Sequence, residues 1–554
     1  VSVNYGEHKE TNLISGNINI QRYLLAVDSV RDPVSGNIVC RSKIDPAARV
    51  AYVDNAAILA QDVAACVPVN PFGEGASSQA ARDYLTVPSR ATGKITQFVA
   101  SGYVSGDFSQ LFELPGGPVA FSLGAEYRRE TNYYDLDDIT QAGYAFYNAI
   151  PEFTAPAFEV KEAFGEISVP LLRNTPFFHD LTLKGSGRVA NYKGNTGTVF
   201  AWDAGVNWAP IRDLRLRATY SRSVRAPNLS ELYSAQSQNF ATVVDPCSAR
   251  NIATGSSNRA ANCAAAGAPA GYDFVYVQSL EIVSGGNPDL KQETSTSYTI
   301  GGVFEPSFLP GLSLSVDYYD INVENVISSV AAQTILNQCY DQASLNNPFC
   351  GLFTRAGASG GPRGEIPFQV LEGSLLQSTL NFARLKARGI DTNLNYRHKF
   401  DWGTLNLQGI YTRTLQRDSF TNPADPQRLD RILGELGDPE NEFNLNASVK
   451  LGKVTLGYQL HWIDKMYLNT YEDYNSVQGR PQENADYASL RKYPSVFYHS
   501  ARVDVDVNDR FNLYVGMDNI GNRFPPFGLT GTGAGSGIYD TRGRYGYVGF
   551  VAKF

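Results

Sequence analysis

Apolar and polar residues alternate along most of the chain from about residue 94 onward. Successive side chains of a β-strand point to opposite faces, so a period of two predicts strands with one apolar face. Several of these alternating segments run for ten residues or more, whereas strands of globular proteins average about five or six. Within the alternating segments, the pattern is clearest at 181–189, 202–208, 214–221, 312–318, 443–449 and 454–462.

The connections between these segments are alternately tight and long. Tight turns are "LPGG", "PIRD", "FDWG", "LGK" and "VNDR", and the long loops lie at about 10–92, 131–158, 225–292, 327–378, 416–440, 464–496 and 521–541. Long loops at one rim and short turns at the other are typical of outer-membrane barrels. We therefore predict an all-β fold, a transmembrane antiparallel β-barrel with about 16 strands, long extracellular loops and short periplasmic turns. Two loop segments, 21–32 and 328–340, are expected to form short helices on the rim.

Composition agrees with a strand-rich membrane protein. Charged residues are only 18% of the 554 residues, aromatic residues reach 12%, and glycine occurs 50 times. No apolar run reaches the ~18 residues of a transmembrane helix, but a spanning strand needs only about ten residues. The net charge of −8 argues against a nucleic-acid partner. The first residues, "VSVNYGEHKE", resemble the interior of a strand and not a signal peptide, so we expect a longer protein upstream.

The six cysteines fall into three pairs that are close in sequence: Cys40 with Cys66, Cys247 with Cys263, and Cys339 with Cys350. They lack CxxC spacing and a histidine cluster, which argues against zinc. An even number of paired cysteines predicts disulfides in an oxidising compartment. The alternative is six buried free thiols in a cytosolic protein. All three pairs lie in the predicted long loops, in agreement with an extracellular position.

Two stretches carry a specific resemblance. The first, "YSRSVRAPNLSELY" (220–233), and the second, "GGNPDLKQETSTSYTIG" (285–301), strongly resemble two central barrel motifs of TonB-dependent outer-membrane receptors, although Gln292 stands where proline is usual. "SGNIVC…CVPVNPFGEG", "VAFSLGAEYRRE" and "GMDNIGNRFPP" are similar to one proteobacterial branch of that family. The closing stretch "RGRYGYVGFVAKF" resembles the C-terminal assembly signal of such barrels, carried by Val548, Phe550, Ala552 and Phe554.

The resemblance implies uptake of a scarce, bulky nutrient such as a ferric siderophore, cobalamin or an oligosaccharide across the outer membrane of a Gram-negative cell. Family barrels of 22 strands are filled by an N-terminal plug, and a short box before the plug engages the TonB energy transducer. Residues 1–554 contain neither, so we interpret them as a partial barrel without the plug and the first strands. The plug is expected upstream or on a separate chain. The other implied partners are outer-membrane lipids, the barrel assembly machinery and a small-molecule or oligosaccharide ligand.

The two central motifs place a charged pair at neighbouring strand ends. Arg225 ends an outward strand and Glu293 starts the next inward strand, so the two side chains are expected to form a charge-assisted pair that holds a long loop at the rim. The alternative is direct contact of these residues with a ligand.

Tyrosine and acidic residues cluster in three loop segments. Tyrosine combines a flat apolar face with a hydroxyl, which suits stacking on sugar rings or catechols. The ligand-contact candidates are Tyr133, Tyr134, Asp135, Tyr144, Tyr147, Tyr467, Tyr471 and Tyr474. The alternative is that these rings form an interfacial girdle or pack within the loops. The composition of these segments does not distinguish a glycan ligand from a siderophore ligand.

Other chemistry is weakly supported. The five histidines lack metal or protease spacing, no GxSxG elbow occurs, and we expect no catalytic residue, metal site or cofactor. Four arginines that point inward are consistent with an anion path or with an ordinary polar wall: Arg188, Arg215, Arg217 and Arg222. The functional hypotheses are a transport receptor, an interaction or adhesion barrel that acts through disulfide-tied surface loops, and an outer-membrane enzyme. For the enzyme, no catalytic constellation can be assembled from the sequence.

Overall fold

The structure is a computed structural model that describes residues 1–145, 155–423, 425–484, 490–528 and 536–553. Strands dominate these residues, as the alternation predicts. In chain order they are β1 (Ser2–Ile18), β2 (Ser29–Arg31), β3 (Ile38–Cys40), β4 (Thr86–Asp107), β5 (Ala120–Leu136), β6 (Phe158–Thr175), β7 (Phe178–Tyr192), β8 (Gly197–Ile211), β9 (Leu214–Arg225), β10 (Ser237–Ala241), β11 (Leu280–Ser284) and β12 (Glu293–Phe304). They continue with β13 (Leu312–Ser329), β14 (Leu375–Gln377), β15 (Thr379–Phe400), β16 (Gly403–Phe420), β17 (Asp430–Arg431), β18 (Asn441–Leu451), β19 (Val454–Ile463), β20 (Met466–Tyr467), β21 (Lys492–Tyr493), β22 (Val496–Asp506), β23 (Phe511–Asp518) and β24 (Tyr545–Ala552).

Sixteen long strands form one antiparallel sheet, in which each strand pairs with its neighbour in sequence. The hydrogen-bonded order is β1, β4, β5, β6, β7, β8, β9, β12, β13, β15, β16, β18, β19, β22, β23 and β24. The predicted strand number and antiparallel order are therefore confirmed. Within the described residues, no registered pairing joins β1 to β24, so closure of the sheet is not observed.

The connections lie as the sequence predicts, with the long ones at one rim. The opposite rim has turns such as 401–402 and 452–453. The described residues of the long-loop rim are 19–85, 137–145, 155–157, 226–292, 330–378, 421–423, 425–440, 464–484, 490–495, 519–528 and 536–544. The connection 193–196 is short although it lies at the long-loop rim. Since antiparallel strands reverse at every turn, alternating loop lengths necessarily place all long loops on one side.

Short helices occur in the long loops, including both predicted segments. They are α1 (Ile20–Val27), α2 (Arg41–Ile44), α3 (Ala56–Ala65), α4 (Gln79–Leu85), α5 (Asp138–Gln141), α6 (Leu229–Tyr233), α7 (Arg259–Ala265), α8 (Ala332–Asp341) and α9 (Tyr471–Tyr474). Among the described residues, none of the helices has the length and apolar content needed to cross a membrane.

Two folded units are built from the loops. The first uses residues 19–85, where α1, α3 and α4 pack around the Cys40–Cys66 disulfide. The second, here called the loop body, combines residues 237–284 and 330–377 and contains the disulfides Cys247–Cys263 and Cys339–Cys350. Its sheet joins β10 to β11 in antiparallel and β11 to β14 in parallel fashion. The cysteines thus pair as the sequence predicts, and each pair lies in the loops.

The closing strand presents an apolar outer face. On β24, Val548 is 82% exposed and Phe550 is 70% exposed, and Ala552 follows on the same face. In a barrel such a face meets the hydrocarbon layer, because apolar side chains alternate outward with polar ones inward. Phe554, the last member of the predicted assembly signal, lies outside the described residues.

Candidate functional site

Three of the predicted tyrosines come together on the long-loop rim. Tyr467 lies at the centre of this tyrosine cluster, with its ring centroid 5.4 Å from that of Tyr471 and 5.6 Å from that of Tyr474. The first pair is edge-to-face and the second is stacked, which are the arrangements that aromatic quadrupoles favour. The four-residue helix α9 makes this possible, since it returns Tyr471 and Tyr474 to β20, which carries Tyr467.

Two cationic side chains lie over these rings. The Arg431 guanidinium is 4.5 Å from the Tyr471 centroid, and the Lys492 ammonium is 4.1 Å from the Tyr467 centroid. Each contact is a cation–π interaction. Tyr474 is only 9% exposed and supports the stack from inside. The cluster therefore offers the half-buried rings of Tyr467 and Tyr471, their hydroxyls and positive charge in one place, a combination suited to aromatic or polyhydroxylated ligands.

Hydrogen bonds join loop 464–484, which carries the cluster, to loop 421–440, which carries Arg431. The backbone N–H of Tyr467 donates to Gly434 O at 2.7 Å, that of Tyr471 to Glu435 Oε1 at 2.7 Å, and that of Arg431 to Glu472 Oε1 at 2.8 Å. The loops thus form one unit, although about thirty to forty residues separate their contacting positions in the sequence.

Carboxylates gather where the two loops meet. Asp430, Glu435 and Glu472 each place one oxygen within 4.8 Å of the others, and these residues are here called the carboxylate triad. Burial raises the pKa of Glu435 to about 7, and repulsion from Asp430, Glu472 and Asp438 adds to the effect. Burial also raises the pKa of Asp430 and of Glu472. The sequence did not point to this group, because its members come from different loops.

The raised pKa of Glu435 predicts a pH dependence for these loops. In the folded loops Glu435 keeps its proton up to about pH 7, whereas in the unfolded chain it releases the proton near pH 4.5. The contribution of Glu435 to the stability of the folded loops is therefore complete below about pH 4.5 and is lost as the pH rises through about 7. In buffer with a chelator, we expect segments 425–440 and 466–475 to be more protected from hydrogen–deuterium exchange at pH 5.5 than at pH 8, after correction for the intrinsic rate.

A Glu435→Gln variant is expected to flatten this dependence, since the amide is neutral at every pH. Glu440→Gln serves as the matched control, because Glu440 is a half-exposed carboxylate of the same loop. Protection that stays constant or increases with pH in the unmodified protein would contradict the assignment.

The other ligand-contact candidates lie elsewhere. Tyr133 and Tyr134 are exposed near the upper end of β5, and Asp135 follows them, on the third strand of the sheet order. The tyrosine cluster instead lies on the loop after the thirteenth strand. Tyr144 is only 2% exposed, so its ring packs inside the protein. Tyr147 lies outside the described residues.

The structure places Arg225 beside Glu293 at the rim. The Arg225 Nε and Nη2 donate to the two Glu293 oxygens at 2.7 and 2.6 Å, and the two residues oppose each other in the β9–β12 ladder. Glu231 also accepts from Arg225, at 3.0 and 3.1 Å. Sequence reasoning missed Glu231, although Asn228 and Glu231 have the spacing of a capping box, which the structure shows at α6.

Two of the arginines that were expected to point inward form ion pairs on the wall of the sheet. Arg188 pairs with Glu162 at 2.9 Å, and Arg217 pairs with Asp317 at 2.5 Å. Because both are neutralised by carboxylates, they favour the interpretation as a polar wall over an anion path. The inward expectation is wrong for Arg222, which lies opposite Trp202 in the ladder, on the same apolar face as Tyr220, and donates to the Phe200 carbonyl at 2.8 Å.

A sixteen-stranded antiparallel sheet with an apolar outer face, short turns at one rim and disulfide-tied loops at the other defines the class of outer-membrane barrel proteins. A family model described as "TonB dependent receptor-like, beta-barrel" matches residues 68–520, and the chain belongs to this family. No curated protein matches the chain in a sequence comparison.

Solved siderophore receptors share the fold. The siderophore receptor PirA from Acinetobacter baumannii is 12% identical with a TM-score of 0.51, and the match covers 88% of this chain and 56% of PirA. A variant of the ferric enterobactin receptor PfeA from Pseudomonas aeruginosa is 14% identical with a TM-score of 0.53, covering 85% of this chain and 59% of PfeA. The chain thus spans slightly more than half the length of these receptors, and the likeness shows the fold alone.

Proposed function

We propose that this chain is the barrel portion of an outer-membrane receptor for energised uptake of a scarce, bulky nutrient. The observation that carries the proposal is the family match over residues 68–520. We place the chain in the outer membrane of a Gram-negative cell, in contact with lipid and assembled by the barrel assembly machinery. A plug, supplied upstream or in trans, would link it to the TonB-type transducer. Its role would be transport and not catalysis.

The tyrosine cluster supports the long-loop rim as the place of first ligand contact. Flat rings with hydroxyls, overlaid by Arg431 and Lys492, suit catechol-like chelates as well as sugar rings. A ferric siderophore is the first class to test, since the solved proteins with this fold are siderophore receptors. An oligosaccharide is the alternative. Tyr133, Tyr134 and Asp135 are proposed as a second contact region on the same rim.

Binding and uptake measurements test this function. Purified receptor is titrated with a panel of ferric siderophores and a panel of oligosaccharides, and uptake is followed in cells with and without the gene and with and without TonB. We expect saturable binding of one class and uptake that needs both genes. Binding of proteins or cell surfaces, without a small ligand and without TonB-dependent uptake, would favour the interaction barrel and refute transport.

Replacing Tyr467 by alanine is expected to weaken binding of that ligand by roughly tenfold, equivalent to about 1.4 kcal/mol. The reason is that Tyr467 contacts both other rings and Lys492, so its loss disperses the aromatic surface. Equilibrium titration measures the effect. Phe177→Ala is the control, because it removes an exposed ring at the opposite rim. Equal affinities of the Tyr467→Ala variant and the unmodified protein would exclude the cluster as the contact surface.

A further inference from the structure

The carboxylate triad has the geometry of an oxygen-lined cation site. One oxygen from each of Asp430, Glu435 and Glu472 lies within 4.8 Å of the other two. Ca²⁺ binds oxygens at about 2.3–2.6 Å, so two oxygens on one ion are at most about 5 Å apart. Three oxygens that are at most 4.8 Å apart lie within about 2.8 Å of a common point, so small side-chain adjustments bring all three into contact with a single ion.

Glu472 provides an independent indication of a ligand. This residue is only 6% exposed, and its Oε1 accepts from the backbone N–H of Arg431 at 2.8 Å. Its other oxygen, Oε2, is buried and has no hydrogen-bond partner among the described residues. A buried carboxylate oxygen without a donor is costly, since desolvation is not compensated. A cation bound to the Glu472 carboxylate would compensate this desolvation.

The neighbouring arginines make contacts outside the triad. Arg428 pairs with Glu483 at 2.8 Å, Arg417 pairs with Asp438, and Arg431 lies over the Tyr471 ring. Arg480 donates to the carbonyl oxygens of Val477 and Leu429. Arg428 and Arg480 are close enough to offset part of the Asp430 charge, but none of these contacts is a salt bridge to a triad carboxylate. Three carboxylates therefore meet here without a directly paired cation.

We propose that Asp430, Glu435 and Glu472 bind a divalent cation, with Ca²⁺ as the preferred ion, and that the ion ties loops 421–440 and 464–484 together beside the tyrosine cluster. A set made only of carboxylates suits a hard cation, and Ca²⁺ accepts irregular coordination more readily than Mg²⁺, which needs shorter distances and octahedral geometry. A cleft of about 400 Å³ that borders Asp430 and Glu472 offers a path for entry. The inference goes beyond nutrient uptake, and it departs from the expectation of no metal site, which rested on histidine and cysteine spacings.

The test uses terbium as a calcium probe, because tyrosines near a bound Tb³⁺ sensitise its emission. The purified protein in detergent is treated with a chelator, titrated with Tb³⁺ under tyrosine excitation, and then titrated with Ca²⁺ or Mg²⁺. We expect a saturable signal that Ca²⁺ displaces at lower concentration than Mg²⁺. A signal that does not saturate, or that millimolar Ca²⁺ leaves in place, would overturn the proposal.

Two variants and a control assign the site. Glu472→Gln keeps the shape but removes the charge, and it is expected to weaken Ca²⁺ binding at least about tenfold. Glu435→Gln is expected to act in the same direction and decides the question if Glu472→Gln does not fold, as judged by heat-modifiable migration on gels. Asp473→Asn removes a carboxylate of the same helix outside the triad and is expected to change the affinity less than about twofold. Unchanged affinity in both glutamine variants would refute the site even if ligand uptake is intact.

Discussion

Replacing Arg355 by methionine is expected to unfold the loop body while the strands of the sheet stay paired. Arg355 and Asp245 form the buried centre of this unit, with the guanidinium donating to both carboxylate oxygens at 2.7 and 2.9 Å. Asp245 is fully buried, so the substitution leaves a buried charge without its cation. Removing one partner of such a pair typically costs about 3–5 kcal/mol.

Further contacts of Arg355 increase the expected effect. Its Nε donates to the Tyr340 hydroxyl at 2.6 Å, and its guanidinium lies 4.2 Å from the Phe368 ring centroid. Tyr340 and Phe368 belong to loop 330–378, whereas Asp245 belongs to loop 226–292. The arginine therefore joins the two loops, as do the Arg259–Asp341 pair and the β11–β14 ladder, and its loss weakens their docking.

Limited proteolysis and hydrogen–deuterium exchange of segments 237–284 and 330–377 measure this result, and heat-modifiable migration reports on the strands. Arg363→Met is the matched control, since Arg363 forms a more exposed pair with Glu281 at 2.8 Å, for which we expect at most about 1 kcal/mol. Combining Arg355→Met with Asp245→Asn is expected to restore part of the protection, because the uncompensated charge is removed. An intact loop body in Arg355→Met would disprove its central role.

The second large effect is expected at the rim. Arg225→Met removes the cation shared by Glu293 and Glu231, and Glu293 is buried. We expect the free energy of unfolding to fall by about 1–3 kcal/mol. This is less than for a fully buried pair, because the Arg225 side chain is 46% exposed. Glu293 also accepts from the backbone N–H of Ile327 in β13 at 2.8 Å. The substitution is therefore expected to weaken the anchoring of β13 as well.

Denaturant-induced unfolding in lipid vesicles gives the stability, and protease cleavage within 226–292 reports on the anchoring of the loop. Arg250→Met is a suitable comparison, because Arg250 forms an exposed pair with Asp273 within that loop. A variant of Arg225 that is as stable as the Arg250 variant would show that the pair does not hold the rim.

The strand order could be predicted from the sequence because it depends on local pattern. Alternating segments such as 214–221 form strands wherever one face is apolar, and tight turns force the next strand to pair with the last. The same reasoning placed Arg225 opposite Glu293, since the two motifs end one strand and begin the next. The disulfide pairing could be predicted for a similar reason, because the two cysteines of each pair are only 11 to 26 residues apart.

Contacts between different loops were decided by the tertiary structure. Asp430 and Glu435 meet Glu472, and Ile282 pairs with Leu375 in the loop body, across stretches in which no periodicity specifies a partner. Tyr144 is buried although its sequence resembles that of the exposed tyrosines, and its carbonyl accepts from Ile20 of another loop. Alternation and turns act between neighbouring residues and therefore appear in the sequence. Loop docking depends on shape and charge that are assembled only once the strands have fixed the loop ends, and only the folded chain shows it.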